Sequence, residues 1–200
     1  MRPADMKTLF LKFLVIIAVA LLLLGDGCSR NDYSDEKDPV KRLELLEKSI
    51  SGIRGLFSRY YDLDMVGYAA IDASELDKAE MYAKELLDTA KRRGHDWNYG
   101  NAIHHGNLIL GRVALRRNQL EKAKQYLLAA GRTPGSPQLN TFGPNMALAK
   151  ELLDEGEKAV VLEYFELCKN FWGRGRGCLD HWSQTVQENR MPNFGPNLYY

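Results

Sequence analysis

From Val40 to about Trp172 the apolar positions recur every three or four residues, the period of a helix. No run rich in Val, Ile and Thr alternates between apolar and polar, so a sheet is not expected. Leu43, Leu46 and Ile50 share one face of a first helix. Ile53, Leu56, Phe57 and Tyr60 continue such a face, with Gly52 and Gly55 predicting a break or kink between the two. Further on, Leu110 and Gly111 lie one turn before Ala114, Asn118 marks a turn, and Ala123, Leu127 and Ala130 form the inward stripe of a second helix that ends before Pro134. The pattern predicts an all-α fold.

That last stretch, "NLILGRVALRRNQLEKAKQYLLAAGRTPG" from Asn107, has two further copies in the chain. Upstream, Val66-Gly67, Ala70, Ser74, Ala79, Ala83 and Leu86 repeat its spacings at an offset of 44 residues. The surplus over a shorter repeat lies in "RRGHDWNYGN", an extended second helix or a longer connection. Downstream, Ala149, Leu152, Gly156, Phe165 and Cys168 repeat them at an offset of 38, with "TPGSPQLNTF" as the extra residues. The pattern resembles the tetratricopeptide repeat, strongly in the middle copy and loosely on either side, over roughly residues 60–172. The resemblance implies antiparallel helix pairs packed through small residues. The expected architecture is then a tetratricopeptide-like helical-hairpin array, an α-solenoid of about three repeats with a C-terminal capping helix. Leu179, Trp182 and Val186 suit that cap. The third copy and the end of the chain are also similar to exported bacterial proteins of unknown function, which brings no activity with it.

The first 27 residues differ in kind. Arg2, Lys7 and Lys12 precede "FLVIIAVALLLL", twelve residues from Phe13 to Leu24 without a polar side chain. Twelve is short of the roughly 20 that an ordinary membrane span needs, and the positive start suits a secretory signal. A short uncleaved anchor is the alternative. "LLLLGDGCSR" resembles the lipobox of bacterial lipoproteins, although Gly25 stands where a Leu is usual and Asp26 is an unusual neighbour. The resemblance implies lipidation at Cys28, and Ser29 after it resembles the outer-membrane sorting pattern. It places the protein as exported, in the cell envelope, and held at a membrane by the lipid or by the N-terminal apolar segment. The chain then divides into a signal or anchor (1–27), a polar tether (28–39), a helical domain (40–175), and a capping helix with a tail (176–200).

Composition narrows the functions. The 27 Lys and Arg against 26 Asp and Glu give no basic excess, so nucleic acid is not an expected partner. Loss of residues 1–27 leaves 24 of each sign. No nucleophile elbow, P-loop or dinucleotide glycine pattern is present, and "GRGRG" from Gly173 follows a helix rather than a strand. His104 and His105 are adjacent; the expected placement has His105 in a groove or turn and His104 partly exposed. Cys178 and His181 have one suitable metal spacing but lack a paired set, so neither a metal nor a cofactor is expected. Cys168 and Cys178 form a disulfide in an oxidising compartment, or else a buried small residue and a surface thiol.

The tetratricopeptide resemblance implies a non-enzymatic adaptor that binds a protein or peptide. Asn101, Asn107 and Arg112 on the first helix of the middle repeat, and Tyr68 upstream, are the candidate partner-binding residues. A structural accessory subunit of an envelope enzyme or transport complex is the alternative, and a metal-dependent hydrolase a distant third. Phe-Gly-Pro-Asn occurs twice, at Phe142–Asn145 and Phe194–Asn197. The first copy reads as a helix start, with Phe142 packing back on the helix and Pro144 in its first turn. The second has too few residues after it for a helix and predicts an ordered tail in which Phe194, Leu198, Tyr199 and Tyr200 lie on the array.

Overall fold

Asp38 starts the first helix. Its Oδ1 accepts from the amides of Val40 at 2.9 Å and Lys41 at 3.4 Å, and Pro39 takes the first helical position, where its missing N–H costs nothing. Helix α1 thus runs Pro39–Ser51, and the expected tether gives up Asp38 and Pro39 to it. The computed structural model describes residues 33–199, without the side chains of 53–57. The signal segment, Cys28, Tyr200 and the expected face of Ile53, Leu56 and Phe57 lie outside the described residues. Among those residues there is no strand, and no helix is long and apolar enough to cross a membrane.

Gly52 ends α1 in an extended conformation and α2 (Ile53–Asp72) follows at once, running through Gly55, so the break falls at Gly52 alone. Then come α3 (Leu76–Arg92), α4 (Tyr99–Arg116), α5 (Leu120–Gly131), a short α6 (Pro137–Phe142), α7 (Ala147–Asp154), α8 (Lys158–Cys168) and α9 (Arg176–Gln187). Lys37–Tyr200 is one compact unit, with α9 and the tail included. Along the chain α1 packs on α2, α2 on α3, α3 on α4 and α4 on α5; α7 packs on α8, and α8 on α9. Between successive pairs, α2 packs on α4, α4 on α7, and α5 on α8. The chain is an all-α array of helices packed largely in sequence.

Its regularity is clearest at the turns. Ser74, Asn118, Gly156 and Asn189 have φ of 61°, 57°, 83° and 60°, the left-handed region. At each, two amides close the preceding helix the same way. Ser74 donates to Ile71 and Glu75 to Ala70; Asn118 to Leu115 and Gln119 to Ala114; Gly156 to Leu153 and Glu157 to Leu152; Asn189 to Val186 and Arg190 to Thr185, all at 2.8–3.0 Å. This pairing satisfies carbonyls that a helix end leaves orphaned, and Asn and Gly are the residues that enter the region at least cost. The first three turns join α2 to α3, α4 to α5 and α7 to α8. The fourth follows α9 and leads, among the described residues, to the short 3-10 turn Gly195–Leu198.

The spacing between turns varies for visible reasons. The 17-residue α3 exceeds the 12-residue α5, and Arg93–Asn98 adds a connection. The later surplus folds as the loop after α5 and as α6. That loop lies against the start of α4. Thr133 Oγ1 donates to the Gly100 carbonyl at 2.6 Å, and a Cβ on Gly100 would stand 1.8 Å from the Gly135 carbonyl oxygen. A backbone atom cannot swing aside as a side-chain tip can. Gly100→Ala is therefore expected to destabilise the protein by about 3 kcal/mol, at the upper end of overpacking costs, as read from urea unfolding.

The tail settles the question of the repeated tetrapeptide. Phe194 is buried against Trp182 and Phe165, with ring centroids 5.0 and 6.1 Å away, and Trp182 Nε1 donates to the Asn193 carbonyl at 3.1 Å. Asn197 Nδ2 donates to the carbonyls of Phe142 at 3.2 Å and Pro144 at 2.9 Å, and the Met146 amide donates to the Asn197 carbonyl at 2.7 Å. The second Phe-Gly-Pro-Asn is seated on the first. Leu198 is half-buried there, but Tyr199 is 85% exposed and does not pack as expected. Phe142 is 61% exposed, and α7 begins at Ala147, beyond Pro144. The first copy thus serves as a platform for the tail. Its Gly143, at φ 88°, lies against the Trp172 indole.

Candidate functional site

Helices α2, α4 and α7 bring a line of polar side chains together. Tyr68 on α2 shares a hydrogen bond with His105 Nδ1 on α4 at 3.0 Å, the two rings meeting edge-on at 5.8 Å. Seven residues on along α4, and so on the same face, Arg112 donates through Nε and Nη2 to Glu151 of α7 at 2.8–3.2 Å. Arg116 Nη2 reaches the same carboxylate at 3.1 Å. Asp64 stands one turn before Tyr68, half-buried, and accepts from the Met65 amide at 2.8 Å.

Burial sets the protonation of this line. It pushes Asp64 up to about 6, with Asp62 adding to the shift, and pushes the Tyr68 phenol well above its ordinary range, with Asp64 adding. It drops His105 to about 4. Burial also works against the Arg112 charge, but the bonds to Glu151 outweigh it and raise the guanidinium above its usual value. A phenol and an imidazole held neutral in this way exchange hydrogen bonds near neutral pH rather than protons. Two guanidiniums share the one Glu151 carboxylate, and Asp72 adds to the field that favours the Arg112 charge.

The candidate residues from the sequence therefore separate. Tyr68 and Arg112 belong to the line. Asn107 is on α4 between His105 and Arg112, but its Nδ2 donates back to the Ile103 carbonyl at 2.7 Å. Asn101 is buried and turned elsewhere. It donates to Asn98 Oδ1 at 2.9 Å and to Gln138, and accepts from Ser136 Oγ, tying α4 to the start of α6. Its role there is structural, and no surface is left for a partner. The reason is that the "TPGSPQ" stretch folds over the start of α4, a long-range placement that periodicity along one helix does not encode.

His104 is a second departure. It is fully buried, not partly exposed, and it joins three segments. Its Nδ1 meets the Ala130 carbonyl of α5 at 3.2 Å, and its Nε2 accepts from the Asn145 amide at 3.2 Å. Tyr164 of α8 donates to the Asn145 carbonyl at 3.0 Å and lies nearly parallel to the imidazole, 6.5 Å between centroids, with Phe171 edge-on at 5.9 Å. These partners fix the Nδ1–H tautomer, because a carbonyl can only accept and an amide can only donate. Burial, helped by His105, lowers the His104 pKa to about 3. The signal for it was present: His104 precedes Leu108 and Gly111 on one helical stripe.

These shifts give a pH dependence. Both histidines bind protons more weakly folded than unfolded, so the stability they contribute is full above about 6.5 and is lost as pH falls towards 4. Asp64 acts oppositely, because it binds its proton more tightly folded, between about 3.8 and 6. Two groups against one leave a net loss of about 3 kcal/mol between pH 7 and pH 4.5, to be read from urea midpoints at the two pH values. His105→Asn should roughly halve the histidine part.

Cys168 and Cys178 are both free. Cys168 is fully buried at the end of α8, whereas Cys178 is exposed in the first turn of α9, so the expected disulfide gives way to a packed residue and a surface thiol. Burial pushes the Cys168 thiol well up, which makes it unreactive. Among the described residues no three His, Cys, Asp or Glu side chains gather as a metal would need. Comparison with protein-family models, with curated proteins and with solved structures finds no match to this chain.

Proposed function

We propose that the chain is a tetratricopeptide-like adaptor, exported and lipid-anchored at Cys28, that holds a protein partner on the α2–α4–α7 face at an envelope membrane. The register of the helix pairs supports the family. A Cβ on Gly67 would meet the tip of Ile109 at 2.7 Å, and one on Gly111 would meet the tip of Leu148 at 2.3 Å. Both glycines stand seven residues before a left-handed turn, and each lies against the first helix of the next pair. Ala149, buried, holds the corresponding place in the third pair. Small residues at this position are what the tetratricopeptide pattern uses to bring helices close.

The observation that carries the binding reading is the line Asp64, Tyr68, Arg112 and Arg116, which spans two helix pairs and has more guanidinium than carboxylate at Glu151. Aromatic and Arg side chains are enriched where interfaces concentrate their energy. The exposed part of the Arg116 guanidinium suits a carboxylate on the partner. Arg116 is the least embedded member, with 47% of its side chain exposed. Arg116→Glu is expected to weaken co-isolation of a crosslinked membrane partner at least tenfold while shifting the melting temperature by only about 1–2 °C, since an exposed ion pair contributes at most about 1 kcal/mol. Undiminished capture by that variant would move the interface elsewhere. Intact mass tests the anchor separately: a mature N-terminus other than lipidated Cys28 removes the tether from the proposal.

A further inference from the structure

The tail marks a second interaction surface, at the far end of the array, and shows the chemistry of what fills it. After each of the first three left-handed turns, the residues at the fifth, eighth and ninth positions form the inward side of a second helix: Ala79, Tyr82 and Ala83; Ala123, Tyr126 and Leu127; Val161, Tyr164 and Phe165. After Asn189 the same positions are Phe194, Asn197 and Leu198. Phe194 caps, and Asn197 and Leu198 lie in, one short 3-10 turn, Gly195–Leu198, in place of a helix. The seat of a fourth second helix is thus filled by a peptide of a few residues.

That seat has two defined pockets. One is apolar: Trp182 and Phe165 enclose the Phe194 ring. The other is polar and made of backbone. The carbonyls of Phe142 and Pro144 accept from one carboxamide, and the Met146 amide donates to the carbonyl of the same residue. Gln, Lys and Arg also offer two or more N–H donors but on longer stems, so the pair of pockets fits Phe followed three residues later by the short carboxamide of Asn. The connection that leads in, Gln187–Met191, is exposed throughout, so the tail is held by its own contacts and not by a buried hinge.

We propose that this seat is a recognition site for Phe-x-x-Asn peptides in a tight turn, and that the chain's own tail is its competing occupant. A partner segment of this chemistry displaces residues 193–198 and takes the same bonds. The site is separate from the α2–α4–α7 face, so either can fail without the other.

The test uses the full chain and a synthetic peptide of residues 190–200, followed by calorimetry and by Trp182 fluorescence. Phe194→Ala/Asn197→Ala weakens the tail as a competitor. A tethered segment competes at an effective concentration near the millimolar range, so the peptide should bind this variant at least tenfold more tightly than it binds the parent chain. It should also raise the variant's melting temperature. A peptide with both residues changed to Ala should lose at least tenfold. Should the double variant not fold, Asn197→Ala alone keeps the Phe194 ring and serves in its place. Arg116→Glu should leave peptide binding unchanged. The proposal is overturned if the peptide binds none of the tail variants, binds parent and variant equally, or binds as well with Phe and Asn replaced.

Discussion

A chain that stops at Pro192 should melt about 10 °C below the full chain. The loss has two parts. Phe194 is 2% exposed, and removing a buried Phe costs roughly 3–5 kcal/mol once the cavity is counted. Here the cavity opens to water, which returns some of that by relaxation but leaves Trp182 and Phe165 newly wetted. The bonds that tie Asn197 to Phe142, Pro144 and Met146 go as well, each contributing about 1 kcal/mol net, although the carbonyls gain water. A total near 4 kcal/mol is reasonable. For a domain of this size each kcal/mol moves the midpoint by about 2–4 °C. Tyr199→Ala, at a residue that is 85% exposed, should change the midpoint by no more than about 1–2 °C. If the truncated chain melted with the parent, the tail would be an appendage and not the closing element of the array.

Replacing His104 by Ala should cost about 4–5 kcal/mol, close to the whole stability of a modest domain. The imidazole fills a space walled by Tyr164, Phe171 and His105, so its removal leaves a cavity. It also removes the bonds to the Asn145 amide and to the Ala130 carbonyl, which keeps the Thr133 amide at 3.4 Å, at about 1 kcal/mol each. His104→Phe separates the two causes. It keeps most of the volume and loses both bonds, so a smaller but still large loss is expected from urea unfolding. Tyr68→Phe, which deletes one hydroxyl where α2 meets His105 of α4, should cost only about 1 kcal/mol. A His104→Phe variant as stable as the parent would mean that His104 is an ordinary packed ring.

The contrast between these residues shows what the sequence discloses. The helices were legible because their apolar spacing is local: Leu43, Leu46 and Ile50, or Ala123 and Leu127, reveal a face without any knowledge of a neighbour. The hairpin register was legible too, since Ser74, Asn118 and Gly156 keep the same distances to the small residues on either side. The polar residues were harder. Asn101 looked like a surface residue of a first helix because nothing local reveals that Ser136 and Gln138 fold onto it. Phe142 looked like a staple for the helix after it, whereas its carbonyl serves the tail some fifty residues on. His104 and His105, side by side, were expected to split between exposure and burial, yet each finds a partner from a different element. Apolar pattern is written along the chain, and polar pairing is written across it.

The central claim is that the α2–α4–α7 face holds a partner. Its most direct measurement places a photo-crosslinking residue at Met65, which is 40% exposed beside Asp64 and Tyr68 on α2, or at Met81, which is 51% exposed on α3. With the protein in the cells that express it, one discrete protein adduct is expected from position 65 that fades when Arg116→Glu is added, and none of that mass from position 81. Adducts of the same mass from both positions, or from position 81 alone, would contradict it.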